Sequence, residues 1–288
     1  MRLEGDIKMK KVLIAHDLSG VGKVALGIAM PVLSAMGIEV SVLPTAVLST
    51  HTGFAGNSYL SLTEEMKKMI AHWKSLDIRF DAIYTGYLGE RAQIELLAEA
   101  KEALLNENGF LLVDPVMADR GQLYRGFDAA YVKEMEKLVA QADVIVPNLT
   151  ETSLLIGEAY NPTLSRSELL LDFQALFRLG PKNVIITGTE RGPDIGASFM
   201  SQSEARLSHE FAPKVPGHYF GTGDLFASIV TGALVHGASL QEAVALAINF
   251  TSKIIESTYE EVEDVRYGIQ FEPFLPELSM RMMRLAYR

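Results

Sequence analysis

Short runs of apolar, often β-branched residues alternate along this chain with longer segments of helical pattern. Most of the short runs are apolar throughout, which is typical of strands buried on both faces of a parallel sheet. The predicted strands span residues 11–15, 39–43, 82–85, 110–113, 144–146 and 184–187. Because strands and helices alternate, the sequence predicts an α/β fold with a central, mostly parallel sheet flanked by helices on both faces.

The predicted helices between these strands span residues 24–36, 63–76, 91–106, 128–140, 150–156 and 165–179. Edge strands at 197–200 and 205–211 follow, then helices at 224–236 and 240–259 and a short helix after Pro276. Residues 44–60 lack helical period and are rich in Thr, Ser, Gly and Asn, so we expect a small flap or β excursion there. No linker or repeat interrupts the pattern, which predicts a single domain across residues 1–288.

Composition excludes several classes of function. The chain carries 26 Lys and Arg against 36 Asp and Glu, and this net charge of −10 repels nucleic acid and anionic lipid. It has no cysteine, which excludes disulfides, thiolate metal sites and thiol nucleophiles. No apolar run approaches the roughly 20 residues that span a bilayer, and the apolar run 12–15 is too short for a signal-peptide core. We therefore expect a cytoplasmic protein that binds neither nucleic acid nor membrane.

The strongest local motif is Gly221-Thr222-Gly223-Asp224, which opens an apolar helix. Its glycines let backbone N–H groups turn toward one point, where the helix dipole adds positive potential, so the motif predicts an anion hole for a phosphoryl group. A carboxylate is out of place in a simple phosphate site, but Asp224 fits as the base that accepts a proton from an attacking hydroxyl. The alternative is that Asp224 is an ordinary acidic residue of a first helical turn.

Two further strand ends carry oxygen-rich motifs. Asp114 opens the motif that ends at Asp119, and two carboxylates there could hold Mg²⁺ directly or through water. At the next strand end, Asn148 and Glu151 could face the same ion, although the pair equally fits a helix capping box. Thr187, at the end of another strand, is a weaker candidate for a phosphate contact. Together these strand ends suit one Mg²⁺–nucleotide.

Other nucleotide-binding patterns fit poorly. Gly22 and Lys23 resemble the end of a P-loop, but that motif would require Gly at position 17 and Ser or Thr at position 24. The chain has Asp17 and Val24 there. Residues 20–25 loosely match a dinucleotide fingerprint, but the acidic partner would stand near the start of the second strand instead of its end. A Rossmann dehydrogenase is therefore a minor alternative.

Six motifs in order resemble the pyridoxal/pyridoxamine kinases of the ribokinase superfamily. They are Asp17-Leu-Ser-Gly20, Ser49-Thr-His-Thr-Gly53, Thr85-Gly-Tyr87, Asp114-Pro-Val-Met117, Pro147-Asn-Leu-Thr-Glu151 and Gly221-Thr-Gly-Asp224. The resemblance runs from about residue 11 to about residue 259. It implies a ribokinase-like fold with a small flap or lid region, and phosphorylation of the hydroxymethyl group of pyridoxal, pyridoxine or pyridoxamine by ATP. It also implies dependence on Mg²⁺, a cytoplasmic location and a homodimer.

The resemblance assigns roles by position. It implies that Asp224 is the general base, that Gly221, Thr222 and Gly223 form the anion hole, and that Thr187 lies near the ATP phosphates. The Mg²⁺–phosphate group would be Asp114, Asn148 and Glu151. The pyridoxal pocket would contain His51, Thr52, Tyr87 and either Asp17 or Ser19, which compete for the pyridine contact. The lid over ATP would contain Asp119, Gln122 and Tyr124.

Four alternatives stay open. The Asp-x-Ser-Gly loop also resembles the hydroxymethylpyrimidine kinases of thiamine synthesis, although those commonly end the anion hole Gly-Thr-Gly-Cys and this chain has Asp224. A dual-substrate enzyme fits both. A sugar acceptor agrees less well with the aromatic character of Phe54 and Tyr87, and a non-catalytic pyridoxal carrier agrees less well with an intact Asp224.

Overall fold

The computed structural model describes residues 9–286 of the chain. The expectation that the chain begins without a signal peptide falls mainly on the first eight residues, which lie outside the described residues. The strands are β1 Lys11–Val21, β2 Glu39–Thr50, β3 Tyr59–Ser61, β4 Phe80–Thr85, β5 Leu105–Val113, β6 Ala118–Asp119, β7 Gln122–Leu123, β8 Val144–Ile145, β9 Asn183–Arg191, β10 Asp194–Ser201 and β11 Ser208–Pro213.

The helices alternate with these strands. They are α1 Leu26–Ala35, α2 Thr63–Ser75, α3 Arg91–Leu104, α4 Ala129–Val139, α5 Leu149–Ile156, α6 Arg166–Leu179, α7 Thr222–Val235, α8 Leu240–Glu261 and α9 Leu275–Ala286, with 3₁₀ turns at Val265–Tyr267 and Glu272–Phe274. In the described range, none of the helices is long and apolar enough to cross a membrane.

The strands of the main sheet follow the order β11-β10-β9-β8-β5-β4-β1-β2-β3. The six strands β9, β8, β5, β4, β1 and β2 pair in parallel, whereas β10, β11 and β3 join antiparallel at the two edges. This confirms the predicted α/β fold with a mostly parallel sheet. The carboxyl ends of the parallel strands share one edge, where ligands collect in open α/β sheets.

Two apolar clusters fill the two faces of the sheet. Alternate residues of β1 serve both: Val12 and Ile14 pack on the face covered by α1, α7 and α8, and Leu13 and Ala15 on the face covered by α2, α3, α4 and α6. All four are fully buried. Burial of each large side chain contributes about 1.5–3 kcal/mol. Because both faces of this strand are buried, residues 12–15 are apolar without a break, and this run made the strand predictable.

The structure corrects the predicted bounds at several elements. β1 continues to Val21 and β2 to Thr50, past an irregularity in their pairing between His16 and Leu18. Beyond residue 15 only part of β1 is buried, so the apolar signal fades while the hydrogen-bonded ladder persists. Residues 44–60 thus form the predicted β excursion as the extension of β2 together with β3, which pairs antiparallel with it.

Several helix bounds also differ from the prediction, most clearly those of α1 and α3. Helix α1 begins at Leu26 instead of residue 24 because Ala25 has a φ of 54°, outside the helical region. Helix α3 ends at Leu104 because β5 begins at the next residue, so the predicted helix 91–106 was too long. At the antiparallel edge the strand predicted at 205–211 instead spans Ser208–Pro213.

Candidate active site

The carboxyl ends of five parallel strands meet at one place. The backbone N–H of Gly86 donates to Ala15, that of Asp114 to Thr85, that of Val146 to Val113, and that of Thr187 to Pro147, at distances of 2.9 to 3.0 Å. Asn148 and Thr187 add a parallel bridge. The strand ends predicted to carry the site are therefore neighbours along this edge.

Helix α7 begins beside this edge without a side-chain cap. Its N-cap residue, Gly221, is left-handed with a φ of 86°, and a Cβ there would lie 2.3 Å from the carbonyl oxygen of Lys23. Conformation and packing therefore both require glycine at this position. The first N–H groups of a helix have no partner within the helix, and their dipole attracts anions. The start of α7 can thus serve as the predicted anion hole.

Gly223 is exposed in the first turn of α7, and a Cβ there would meet nothing within 4 Å. Neither its helical conformation nor the packing of the chain requires glycine here. Thr222 lies between the two glycines, and its hydroxyl donates to the carbonyl of Tyr219 at 3.2 Å. A glycine that the fold does not need fits a surface on which a ligand approaches the backbone closely.

Asp224 is held by both carboxylate oxygens. Its Oδ1 lies 3.0 Å from Nε2 of His16, and its Oδ2 accepts the backbone N–H of Ala25 at 2.8 Å. Burial raises the pKa of this carboxyl, but the hydrogen bond and charge of His16 and the Ala25 N–H outweigh it, so the net pKa is below the ordinary value. Asp224 is thus an ionised, oriented carboxylate in the first turn of the anion-binding helix.

Asp114 and Glu151 form a buried pair of carboxyls near Asp224. Burial raises the pKa of Asp114 well above its usual range, and the charges of Glu151 and Asp224 raise it further. Burial likewise raises the pKa of Glu151, to about 7, against the N–H groups that Asn148 and Met117 donate to its side chain at 2.9 Å. Mutual repulsion of this kind is relieved by a bound cation.

Asn148 and Glu151 form a capping box at the start of α5. The side chain of Asn148 accepts the N–H groups of Thr150 and Glu151, and its amide donates to the carbonyl of Ala118 at 2.8 Å. The structural role that the sequence left open is therefore present. The metal role of both residues stays a prediction, since carboxylate and amide oxygens can accept from a backbone N–H and from a metal-bound water together.

Within residues 9–286, no group of three or more His, Asp or Glu side chains is arranged to hold a metal ion alone. Mg²⁺ seldom needs such a cage, because it is commonly bound by one or two carboxylates together with substrate phosphates and water. The Asp114–Glu151 pair, beside the start of α7, fits this kind of site.

On the side toward β2, Asp17 and Ser19 are both buried and the serine hydroxyl donates to Oδ2 of Asp17 at 3.2 Å. The two candidates for the pyridine contact therefore act as a pair. Tyr87 is half-buried, and its ring lies 5.6 Å from that of Phe127, centroid to centroid. Thr52 is exposed.

His51 lies next to the anion hole, with its ring 4.5 Å from that of Phe220. Its Nε2 donates to the carbonyl of Arg266 at 2.6 Å, and its Nδ1 accepts the N–H of Gly53 at 3.1 Å. Both nitrogens therefore have partners within the chain. A substrate role for His51, which stays a prediction, would use the ring itself.

The predicted lid residues lie on the small hairpin of β6 and β7. Asp119 pairs with Gln122, and the two residues of the turn, Arg120 and Gly121, have φ values of 51° and 80°, as a tight hairpin turn requires. Tyr124 is exposed directly after β7. The hairpin reaches the loop before α7, because Arg120 lies 3.0 Å from Nδ1 of His218. The sequence did not single out Arg120 or His218.

A model of the phosphomethylpyrimidine kinase family matches residues 32–267. The chain belongs to this family. Its fold is the ribokinase-like fold that the resemblance implied, and it is a kinase.

Two solved structures resemble this family member closely. A protein from Bacteroides thetaiotaomicron that carries the phosphomethylpyrimidine kinase name, in a crystal form with pyridoxal, is 42% identical. It covers 95% of this chain and 96% of its own, with a TM-score of 0.91. Pyridoxal kinase from Lactobacillus plantarum is 34% identical and covers 96% of this chain and 98% of its own, with a TM-score of 0.88.

A curated relative extends the same likeness. Pyridoxal kinase of Sus scrofa is 26% identical over 276 residues, which cover 88% of this chain and 83% of that protein. The kinase therefore resembles proteins named for two related heterocyclic alcohols, pyridoxal and the hydroxymethylpyrimidine class.

Proposed function

We propose that this kinase transfers the γ-phosphoryl group of ATP to the hydroxymethyl group of pyridoxal, pyridoxine or pyridoxamine, and that one domain carries the whole reaction. The observation that carries the proposal is Asp224, an ionised carboxylate held by two hydrogen bonds inside the first turn of α7. The likeness to a chain crystallised with pyridoxal supports the choice of acceptor.

An alcohol is a weak nucleophile at neutral pH, so the reaction needs a base at the attacking oxygen. Asp224 accepts the hydroxyl proton as that oxygen bonds to the γ-phosphorus, while the bond to the oxygen between β- and γ-phosphorus breaks and ADP leaves. The N–H groups of Gly221, Thr222 and Gly223 stabilise the charge on the transferring group. Thr187, which lies in the middle of β9 and bridges to Asn148, would contact the ATP phosphates.

Asp114 and Glu151, with Asn148 beside them, would hold Mg²⁺. The ion, when bound with ATP, neutralises charge on the phosphates. Burial raises the pKa of both carboxyls, and the charge of Glu151 raises that of Asp114 further, so a cation at this place would favour their ionised forms. The lid residues Asp119, Gln122 and Tyr124 would cover the nucleotide and exclude water.

On the acceptor side, Asp17 and Ser19 would hold the polar edge of the ring, with Thr52 and His51 nearby and Tyr87 packed on its face. The burial of Asp17 and its hydrogen bond with Ser19 make a fixed polar pair of the kind that orients a small ligand. A hydroxymethylpyrimidine has a similar ring and a similar alcohol, and the family to which the chain belongs is named for that class. It is therefore the second candidate acceptor.

We further propose a cytoplasmic homodimer. Apolar side chains are exposed on β1, β2 and β3 at one end of the sheet, among them Leu18, Val21, Val47 and Leu60, the last with 62% of its surface exposed. Association of two copies would cover such a patch. Light scattering on the purified chain should give a mass of about twice 31.6 kDa; a mass of one chain at micromolar concentration would contradict the dimer.

The test of the function is ATP consumption by the purified protein with Mg²⁺ and one of four acceptors: pyridoxal, pyridoxine, pyridoxamine or hydroxymethylpyrimidine. We expect turnover with the pyridoxal vitamers and identification of the 5′-phosphate product. Turnover with hydroxymethylpyrimidine alone would assign the second candidate. Tight binding of pyridoxal without any ATP consumption would instead indicate a carrier.

A further inference from the structure

His16 is a buried polar residue that the proposed mechanism does not use. It follows Val12 and Ile14 on the same face of β1, so its ring lies toward α1 and α7. Only 2% of it is exposed. Gly86 makes room for the imidazole, since a Cβ at that position would lie 2.1 Å from Cδ2 and Nε2 of His16. The fold therefore provides a slot for this ring at the edge where the strands end.

The ring is flanked by two carboxylates. Its Nδ1 lies 3.0 Å from Oδ1 of Asp17, and its Nε2 lies 3.0 Å from Oδ1 of Asp224. The N–H groups of Asp17 and Tyr87 also approach Nδ1, at 3.0 and 3.2 Å. Nδ1 therefore either accepts from these backbone groups or donates to Asp17.

In both arrangements Nε2 carries a proton. A close contact with an ionised carboxylate requires a donor, and Nε2 has no other partner in the described structure. The second oxygen of Asp224 accepts from the backbone of Ala25 at 2.8 Å, so the carboxylate has two fixed donors and little freedom to rotate. Tyr84 packs edge-on against the imidazole, with ring centroids 6.4 Å apart.

We infer that His16 is a positioning residue for phosphoryl transfer, whose Nε2–H holds the Asp224 carboxylate in its reactive orientation while Asp17 holds the ring from the opposite side. The inference rests on the proposed function, in which Asp224 is the base. The imidazole of His16 thereby connects Asp17, on the acceptor side, with Asp224, the proposed base.

The charged and titratable groups around the ring agree with this role. They are Asp17 of β1, Asp224 of α7, Asp114 after β5, Tyr84 of β4 and, near Asp224, His51 after β2. Burial lowers the pKa of His16, but its hydrogen bonds to Asp17 and Asp224 outweigh this and raise the pKa to about 10. Loss of His16 would raise the pKa of Asp224, so the acid limb of kcat/KM should move to higher pH.

Three substitutions of His16 distinguish the contact of Nε2 with Asp224 from the contact of Nδ1 with Asp17. The side-chain amide of His16→Gln reaches the place of Nε2 and donates to Asp224, whereas that of His16→Asn reaches only the place of Nδ1 and contacts Asp17. His16→Leu removes both contacts. A displaced reactive group can cost about 10²-fold in rate. We expect kcat to fall by about that factor in His16→Asn and His16→Leu and to keep most of its wild-type value in His16→Gln. The KM for pyridoxal should change little in His16→Asn.

Purified variants are compared with His72→Gln, which changes an exposed histidine of α2 and should behave as wild type. Thermal unfolding identifies any variant that fails to fold. Turnover of His16→Asn and His16→Leu near that of wild type would overturn the inference while leaving the kinase function intact. Equal losses of kcat in His16→Gln and His16→Asn would do the same.

A second measurement does not depend on activity. Imidazole ¹⁵N spectra of the ligand-free protein, with the His16 signal identified by its loss in His16→Gln, should show a proton on Nε2 from pH 6 to pH 9. An unprotonated Nε2 in this range would overturn the inference. Failure of the wild-type enzyme with every acceptor would overturn the proposed function itself, and the inference with it.

Discussion

The backbone N–H of Ala25 donates to Oδ2 of Asp224 at 2.8 Å from a conformation that alanine rarely adopts, with φ 54° and ψ −131°. Positive φ is strained for a residue with a Cβ and costs about 1–3 kcal/mol. The strained residue therefore aims its amide at the proposed base, in keeping with the tendency of such strain to occur at active sites.

Ala25→Gly should relieve this strain. Glycine adopts positive φ readily, although its more flexible unfolded state offsets part of the gain. We expect the free energy of unfolding to rise by about 1 kcal/mol, with kcat changed less than about threefold because the amide remains. Ala71→Gly, in the exposed middle of α2, is the matched control and should destabilise by about 1 kcal/mol. Destabilisation by Ala25→Gly comparable to that control would contradict the strain.

The two glycines of the anion hole should respond in opposite ways to the same change. Gly223→Ala adds a methyl group where nothing in the chain lies within 4 Å, so the fold should be retained or slightly stabilised. If phosphate binds at this turn, the methyl group displaces it and kcat/KM for ATP should fall by about 10²-fold. Gly221→Ala should instead destabilise the protein, because a Cβ would lie 2.3 Å from a backbone carbonyl oxygen. Full activity in Gly223→Ala would exclude α7 as the anion site.

Asp114→Asn should stabilise the ligand-free protein and weaken the enzyme. The substitution removes a carboxyl whose ionised form is disfavoured by burial and by the charges of Glu151 and Asp224, while it keeps an oxygen acceptor. Urea unfolding of the ligand-free variant checks the first effect, and Mg²⁺ titration of ATP turnover checks the second. We expect the Mg²⁺ concentration for half-maximal rate to rise about tenfold or more. Unchanged Mg²⁺ dependence would remove Asp114 from the metal site.

Stability should depend on pH through His16. Its pKa in the folded state is about 10, above the ordinary 6.5. The folded state binds this proton more tightly, so the stabilisation is fully present below pH 6.5 and is lost as the pH rises through about 10. We expect the free energy of unfolding of the ligand-free protein to fall across this window, and to fall less in His16→Gln. Equal slopes in the two proteins would contradict a protonated His16 held by carboxylates.

The sheet could be predicted where strands are buried on both faces, as at residues 11–15, because an apolar run is then unbroken. The extensions of β1 and β2 could not be predicted, because they mix buried polar side chains such as Ser19 with exposed apolar ones such as Leu18. Only the hydrogen-bonded pairing of the two strands defines them. Likewise, α1 was predicted to begin too early because nothing in the sequence reveals the positive φ of Ala25.

The proposed base and anion hole could be found from Gly221-Thr-Gly-Asp224 because glycine, helix start and carboxylate follow one another directly. His16 was missed because its partners are 1 and 208 residues away in sequence. One signal was present: His16 continues the face of Val12 and Ile14, which packs against α7, where Asp224 lies. Such a long-range contact can be predicted only after α7 has been placed on the correct face of the sheet.

The turnover of Asp224→Asn with pyridoxal, ATP and Mg²⁺ tests the role of Asp224 as the base most directly. Asparagine keeps the size of the side chain and can still accept the N–H of Ala25, but it is not a base. We expect a protein that folds and binds pyridoxal, with kcat lower by about 10²–10⁴-fold. Turnover within a few-fold of wild type would show that the hydroxyl proton goes elsewhere and would contradict the proposed mechanism.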